Sequence, residues 1–216
     1  MSVICGLPIP RENENFTLRS ETNKDWYHVF CNKNYPVDAY SFSKGWGQTR
    51  FAPITHEDST SVHTYYLAST TECAYMESAL HDVPLSPPGF FDTNDLINYH
   101  LVKLRLLTEL STVSFHTKYL PKLNLNRMQL IDSLPGCYSE TRAWAQAAYL
   151  QCQSAKALAY GSRLDDSGRC LMLFRQRMAH CKLEPTFKVL SVESLASEPN
   201  RSEILNLMHS LEISTI

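Results

Sequence analysis

One carboxylate in the chain lies where it could take part in chemistry. Cys73, Met76 and Leu80 recur with the spacing of a helix and form one apolar face, at about 100° per residue. Glu77 falls at the edge of that face, soon after a segment rich in aromatic residues. Because burying an isolated charge is costly, a glutamate aimed at apolar surface is either paired or poised for chemistry. The same spacing also fits a solvated glutamate at the helix edge, so both interpretations stay open.

The elements that would position this glutamate alternate between strands and helices. Ser69 and Glu72 have the spacing of a capping box, which predicts a helix from Ser69 to about Leu80. Two further helices are predicted, at residues 140–152 and 202–211. Strand-like segments are residues 61–68, 97–107, 157–160, 170–174 and 187–192. This order predicts a single α/β (α+β) domain over residues 1–216, with loops at 43–47 and 84–89.

The composition is that of an ordinary globular domain. Hydrophobic residues make up 44% and charged residues 19%, which argues against disorder, and the net charge of −2 disfavours direct nucleic-acid binding. No apolar run reaches the roughly 20 residues of a membrane span, and the N-terminus lacks the basic start of a signal peptide. We therefore expect a cytoplasmic protein that does not contact a membrane. The irregular spacing of the seven cysteines predicts no disulfide framework, and that of the histidines predicts no metal site.

Several short motifs follow one another in a recognisable order. They are Gly45–Phe51 with Arg50, Tyr66-Leu67-Ala68-Ser69 with Glu77 eleven residues after Tyr66, Tyr138–Ala145, Tyr160-Gly161-Ser162-Arg163, and Leu173-Phe174. No single motif is specific, but their order from roughly Trp26 to Arg177 resembles the RES-domain family of toxins from toxin–antitoxin systems. The residues that follow, 178–216, are predicted to add a strand and a helix that pack on the core.

Two features depart from the family pattern. His28, in the segment Trp26-Tyr27-His28-Val29, stands where the family usually has arginine. Histidine is shorter and mostly neutral at pH 7, so a contact with phosphate or ribose would be weakened. Residues 52–64 look like an insertion between Arg50 and Tyr66, which would alter the rim of a pocket.

The resemblance implies a fold like that of ADP-ribosyltransferases and the destruction of NAD⁺ by phosphorolysis or hydrolysis. NAD⁺ is then the substrate, inorganic phosphate a co-substrate in the first case, and no cofactor or metal is needed. Such a site needs a cation for phosphate, an aromatic wall for nicotinamide and a carboxylate near the developing ribosyl cation. The catalytic candidates that match are Arg50, Tyr66, Glu77 and Ser162. The substrate-binding candidates are Tyr27, His28 and Arg163.

Other functions and partners are also open at this stage. The resemblance implies a cognate antitoxin with a helix-turn-helix domain, and a homodimer is compatible with the sequence. A protein ADP-ribosyltransferase would need a second carboxylate near Glu77, but Tyr75 stands two residues before it. A non-catalytic binding module would have His28 as its damaged position. A cysteine hydrolase is disfavoured because no cysteine has a recognisable nucleophile context. Arg142 is predicted to be structural, paired with Glu140 or Asp132.

Overall fold

Most apolar side chains of the chain pack on the two faces of one large sheet. The structure is a computed structural model that describes residues 6–22 and 24–216. Its strands are β1 (Leu18–Glu21), β2 (Asp25–Cys31), β3 (Thr64–Ala68), β4 (Phe90–Phe91), β5 (Tyr99–Leu106), β6 (Leu110–Ser114), β7 (Ala157–Gly161), β8 (Arg169–Phe174), β9 (Phe187–Ser194) and β10 (Ser214–Thr215). Its α-helices are α1 (Thr71–Met76), α2 (Arg127–Leu130), α3 (Tyr138–Gln151) and α4 (Asn200–Ser210). Strands and helices together make a mixed α/β domain, as the sequence predicts.

The large sheet has eight strands in the order β1-β6-β7-β8-β3-β2-β5-β9, and β4 pairs with β10 separately. All neighbours in the large sheet are antiparallel except β6 and β7, which run parallel. A parallel pair needs a long crossover, and residues 115–156, which contain α2 and α3, supply it.

Both faces of the sheet are covered, so its central strands are apolar on both sides. In β3 the side chains of Tyr65 and Leu67 enter one core, and Ala68 enters the other, as alternation along a strand requires. The first core also contains Met178 and Leu183 from the segment before β9. The second core contains buried residues of α1, α3 and α4. We call the face that carries the helices the helical face.

The sequence predicts most of these elements and misses several strands. Helices α3 and α4 lie where residues 140–152 and 202–211 predict them, and β3, β5, β7, β8 and β9 overlap the five predicted strand segments. The C-terminal part packs on the core, since β9 pairs with β5 and α4 buries Ile204 and Met208. Strands β1, β2, β4, β6 and β10 were not predicted. Strand β2 is the important omission, because it borders the candidate site described below.

The first helix differs from its prediction at both ends. Its N-cap is Thr70, whose Oγ1 accepts the Cys73 N–H at 3.1 Å, so the predicted Ser69–Glu72 capping box is wrong. The Ser69 hydroxyl instead accepts the backbone N–H of Arg169 at 3.0 Å. The side chain is therefore used to join α1 to β8 rather than to cap the helix.

The predicted end of this helix, Leu80, is also wrong. The helix ends at Met76, and Glu77 is its C-cap. The Leu80 N–H reaches back to the Tyr75 carbonyl at 2.9 Å, which closes a wider turn than that of an α-helix. Glu77 therefore lies at the C-cap, where the regular helix has ended.

Two further expectations are corrected by side-chain contacts. Arg142 pairs with neither Glu140 nor Asp132 and lies 3.5 Å from the Thr49 carbonyl. Asp132 pairs with Arg127 instead, because α2 brings that guanidinium closer. Cys137 is disulfide-bonded, whereas the sequence predicts no disulfide.

Candidate active site

A cavity of about 340 Å³ opens between β2 and β3 on the helical face. Within the described residues, these strands pair only through Tyr27 and Ala68, whereas β2 pairs with β5 along its whole length. The separation of the two strands leaves a gap that other elements border. These are residues 48–51, the end of α1 with Glu77, and the side chains of Tyr138 and Tyr160. The volume is within the range of small-molecule sites.

The structure brings the predicted site residues together in two layers. Five of them line the cavity, namely Tyr27, His28, Arg50, Tyr66 and Glu77. The other two, Ser162 and Arg163, are not among the lining residues but contact Glu77 from behind. The predicted insertion, residues 52–64, contributes nothing to the lining.

Glu77 is held through one of its two carboxylate oxygens. Its Oε1 accepts the Ser162 hydroxyl at 2.5 Å and the Arg163 backbone N–H at 3.1 Å. Ser162 is fully buried, and its Oγ also accepts the N–H groups of Leu164 and Asp165 at 3.0 and 2.9 Å. The proton of this hydroxyl is thus committed to Glu77. No residue in the described part of the chain donates to Oε2, which leaves that oxygen available to a ligand.

The turn that carries Ser162 is anchored by a residue that sequence reasoning missed. Arg127 donates through Nη2 to the Ser162 carbonyl at 2.8 Å, and the same guanidinium pairs with Asp132 and Asp166 at 3.2 and 3.3 Å. Gly161 leaves room for it, since a Cβ there would lie 3.1 Å from Arg127 Nη1. The one sequence signal was the capping box that starts α2, which marks a helix but not a role.

Arg50 is a nearly buried cation without a counter-ion. The residue as a whole is 6% exposed, and the Nε of its guanidinium has no hydrogen-bond partner among the described residues. No carboxylate of that part of the chain lies within 4.0 Å of the guanidinium. The group instead lies 5.8 and 5.9 Å from the ring centres of Tyr138 and Phe51. A buried guanidinium of this kind is costly unless an anionic ligand satisfies it.

Tyrosine side chains form much of the remaining wall. The Tyr66 hydroxyl lies 2.8 Å from Thr49 Oγ1, and burial raises the pKa of Tyr66 to about 12, so the phenol is protonated at neutral pH. Burial also raises the pKa of Tyr160 far above its usual range. Tyr138 and Tyr160 were part of the sequence motifs but were not predicted as site residues. Both residues line the cavity because α3 and β7 border it.

His28 has a defined tautomer and a structural contact. Its Nδ1 lies 2.8 Å from the Tyr66 carbonyl, which can only accept, so Nδ1 carries the proton. Its ring packs 4.1 Å from the centre of the Tyr65 ring, and burial lowers the pKa of His28 to about 4. The neutral ring therefore bridges β2 and β3 where their backbone pairing is interrupted.

Two further observations, on metal ligands and on membrane-spanning helices, concern the described residues as a whole. No group of three or more histidine, cysteine, aspartate or glutamate side chains is arranged there to hold a metal ion. Within the same residues no helix combines the length and apolarity needed to cross a bilayer.

A family model identifies the family, and a solved structure shares the fold. The family model described as RES domain matches residues 25–191, which is most of the chain. The sequence has no match among the curated proteins. Four solved chains match the fold. One is from the crystal structure of the M. tuberculosis MbcT–MbcA toxin–antitoxin complex, with a TM-score of 0.58 and 14% identity. The match covers 84% of this chain and 89% of that one, so the two share a fold.

Proposed function

Because the chain belongs to the RES-domain family, we propose that it is the toxin of a toxin–antitoxin pair and that its cavity cleaves NAD⁺ between nicotinamide and ribose. The observation that carries this proposal is the pairing of two charges in one aromatic cavity. Arg50 is buried without a counter-ion, and Glu77 is fixed through one oxygen while the other is available. NAD⁺ combines an anionic pyrophosphate with a cationic leaving group, and these two charges complement it.

Binding would be governed by Arg50 and the aromatic wall. The guanidinium would donate to pyrophosphate oxygens, which removes the cost of its unpaired burial. The rings of Tyr27, Tyr66 and Tyr138 line the same cavity and could stack on nicotinamide. The Tyr66 phenol, protonated at neutral pH, would donate a hydrogen bond to a ribose hydroxyl.

Bond cleavage would depend on Glu77. When the bond between ribose C1′ and the nicotinamide nitrogen breaks, nicotinamide leaves with the electron pair and becomes neutral. Positive charge then develops on C1′ and the ring oxygen, and a carboxylate fixed beside it stabilises that state. Because Ser162 and Arg163 hold Oε1 in advance, Glu77 needs little reorganisation as the charge develops. Ser162 is in this account a positioning residue, since its hydroxyl is buried behind the cavity.

The attacking group would be phosphate or water. Phosphate attack on C1′ gives ADP-ribose phosphorylated at the anomeric carbon, and water attack gives ADP-ribose and one proton. Transfer to a protein side chain is less well supported. Tyr75, where a transferase would carry its second carboxylate, is buried and directs its hydroxyl toward Glu203.

The test is to incubate the purified chain with NAD⁺, with and without inorganic phosphate, and to identify products by chromatography and mass spectrometry. Glu77→Gln keeps the shape of the side chain and removes its charge, and we expect roughly a 100-fold loss of turnover. Glu72→Gln is the matched control, because Glu72 is exposed on the same helix. Intact NAD⁺ in every wild-type reaction would refute the enzymatic proposal, and equal activity of Glu77→Gln and Glu72→Gln would refute the role of Glu77.

An antitoxin partner follows from the same proposal. The similar fold was solved as a toxin–antitoxin complex, and a partner that covers the cavity would block access of NAD⁺ to Arg50. Co-expression of the chain with the protein encoded beside it, followed by size-exclusion chromatography and the NAD⁺ assay, tests this. A stable complex with full NAD⁺ cleavage would contradict it.

A further inference from the structure

A second concave surface lies on the face of the sheet opposite to the helical face. It has a volume of about 660 Å³ and is formed around the ends of β1, β6, β7 and β8. Strand β7 contributes only the small residues Ala159 and Gly161 to it, so the centre is open while longer side chains of the neighbouring strands surround it. We call this surface the basic cleft, for the charges described next.

The basic cleft concentrates positive charge in a chain whose net charge is −2. Two carboxylates line it, Glu21 and Asp166. Five cationic side chains line it as well, namely Arg19, Lys24, Lys118, Arg127 and Arg169. The surplus of cations is local and is not a consequence of overall composition.

The pairing of these charges leaves part of the positive charge unneutralised. Glu21 is buried and is shared by two cations, with Oε1 3.0 Å from Arg169 Nη2 and Oε2 2.7 Å from Lys24 Nζ. Neither Arg19 nor Lys118 has a carboxylate partner within 4.0 Å in the described residues. Ser20 lines the cleft and donates a hydrogen bond to a third carboxylate, that of Glu109, which is not itself a lining residue.

A neutral histidine shares this positive environment. His116 lines the cleft with its Nε2 3.5 Å from Arg169 Nη2, so this nitrogen faces a donor. Burial, and after it the charge of Arg169, lower the pKa of His116 to about 4. His116 is therefore uncharged at neutral pH and adds no positive charge to the cleft.

The ligand chemistry that fits is a compact polyanion. Guanidinium and ammonium groups around one opening suit phosphate oxygens, and the hydroxyl of Thr117 adds a donor. Tyr119 supplies an aromatic ring at the edge. We propose that the basic cleft binds a small molecule that carries at least two linked phosphate groups. This inference does not depend on NAD⁺ cleavage, because none of the basic-cleft residues lines the cavity with Glu77.

The test is isothermal titration calorimetry of the purified chain with inorganic tripolyphosphate at physiological ionic strength. The double variant Arg19→Ala/Lys118→Ala removes the two cations without carboxylate partners, both of which are exposed. We expect it to bind at least about tenfold more weakly than the wild type. The matched control, Arg201→Ala/Lys188→Ala, removes the same charge outside the cleft and should bind within about twofold of the wild type.

Arg50→Ala separates the two surfaces, because tripolyphosphate could also bind in the cavity. Binding that persists in Arg50→Ala and weakens in Arg19→Ala/Lys118→Ala supports the basic cleft. Loss in Arg50→Ala alone would place the anion in the cavity and overturn the proposal. Absence of wild-type binding, or equal weakening in both double variants, would overturn it too, the latter because only general charge attraction would be involved.

Discussion

At the scale of single residues, we expect Arg50 to lower the stability of the fold in return for binding an anionic ligand. The residue is 6% exposed, and its Nε has no partner among the described residues, so the folded protein bears a desolvation cost that no ion pair there offsets. Arg50→Met, which keeps the length of the side chain, should raise the free energy of unfolding by about 1 kcal/mol and abolish NAD⁺ binding. Urea denaturation and NAD⁺ titration measure the two effects. Arg201→Met on α4 is the control, and a destabilised Arg50→Met would contradict the argument.

Ser162 acts on Glu77 and also supports its own turn. In Ser162→Ala, Glu77 Oε1 keeps only the Arg163 N–H, so the carboxylate is held less firmly. We expect kcat for NAD⁺ cleavage to fall by roughly 10- to 100-fold while KM changes by less than about threefold. Steady-state kinetics measure both, and Ser202→Ala, an exposed serine on α4, is the control. A large rise in KM with kcat unchanged would show instead that Ser162 binds substrate.

The same variant should also lose stability. The Ser162 hydroxyl accepts the N–H groups of Leu164 and Asp165, and both lose that acceptor in Ser162→Ala. Both hydrogen bonds are partly buried, so we expect the loss to be at the lower end of the roughly 1–3 kcal/mol that an unsatisfied buried donor costs. Kinetics therefore need to be measured below the unfolding transition, so that the fall in kcat reflects Glu77 rather than the fraction of folded protein.

At the scale of elements, α2 contacts Glu77 indirectly, through the turn that carries Ser162. Arg127 starts this helix and holds the Ser162 carbonyl, so Arg127→Ala should loosen the turn and lower kcat by roughly tenfold. Arg127→Lys, which keeps one donor, should recover part of the loss. Met128→Ala is the control, because Met128 is exposed on the same helix.

A double variant distinguishes positioning from a general effect on the fold. If Arg127 acts only by placing the Ser162 hydroxyl, Arg127→Ala/Ser162→Ala should have a kcat no lower than Ser162→Ala alone. Steady-state kinetics of the four proteins give this comparison. Losses that multiply would mean that the two residues act independently, and the positioning role would be wrong.

The elements also show which parts of the fold can be predicted from the sequence. Helices α3 and α4 follow from spacing, because each buries one face and exposes the other. Strand β2 was missed, since its Trp26–Cys31 segment is covered on both faces and lacks alternation. The role of Arg127 could not be predicted from the sequence, because the contact between residues 127 and 162 depends on the crossover between β6 and β7. Helical spacing left the role of Glu77 open, and the order of the motifs made it a catalytic candidate, whereas its serine donor could be assigned only from the fold.

At the scale of the whole molecule, the sheet separates two charged surfaces. The cavity with Arg50 and Glu77 lies on the helical face, and the basic cleft lies on the opposite face. The side chain of Arg127 lines the cleft and also contacts the turn behind Glu77. A ligand in the basic cleft would therefore share a side chain with the support of the proposed active site.

Buried histidines should make the stability of the whole fold depend on pH. The pKa of His28 and that of His116 are lowered to about 4 by burial, and the pKa of His63 is also lowered by burial. Well above pH 6.5 these histidines are neutral in both the folded and the unfolded state, so they do not change the stability there. Below about 6.5 the unfolded chain takes up protons that the folded chain does not, and the free energy of unfolding falls until about pH 4.

We expect each of His28 and His116 to account for up to about 2 kcal/mol of this loss. Hydrogen bonds lower the pKa values of Asp25 and Asp58. The stability that these carboxylates give is lost mainly below their unfolded pKa of 3.8, outside this window. Urea denaturation at several pH values between 7 and about 4.5 measures the slope. His116→Gln should flatten it, whereas His209→Gln, at an exposed position, should not. A slope unchanged by His116→Gln would mean that this ring titrates alike in the folded and unfolded states, and that its burial does not resist protonation.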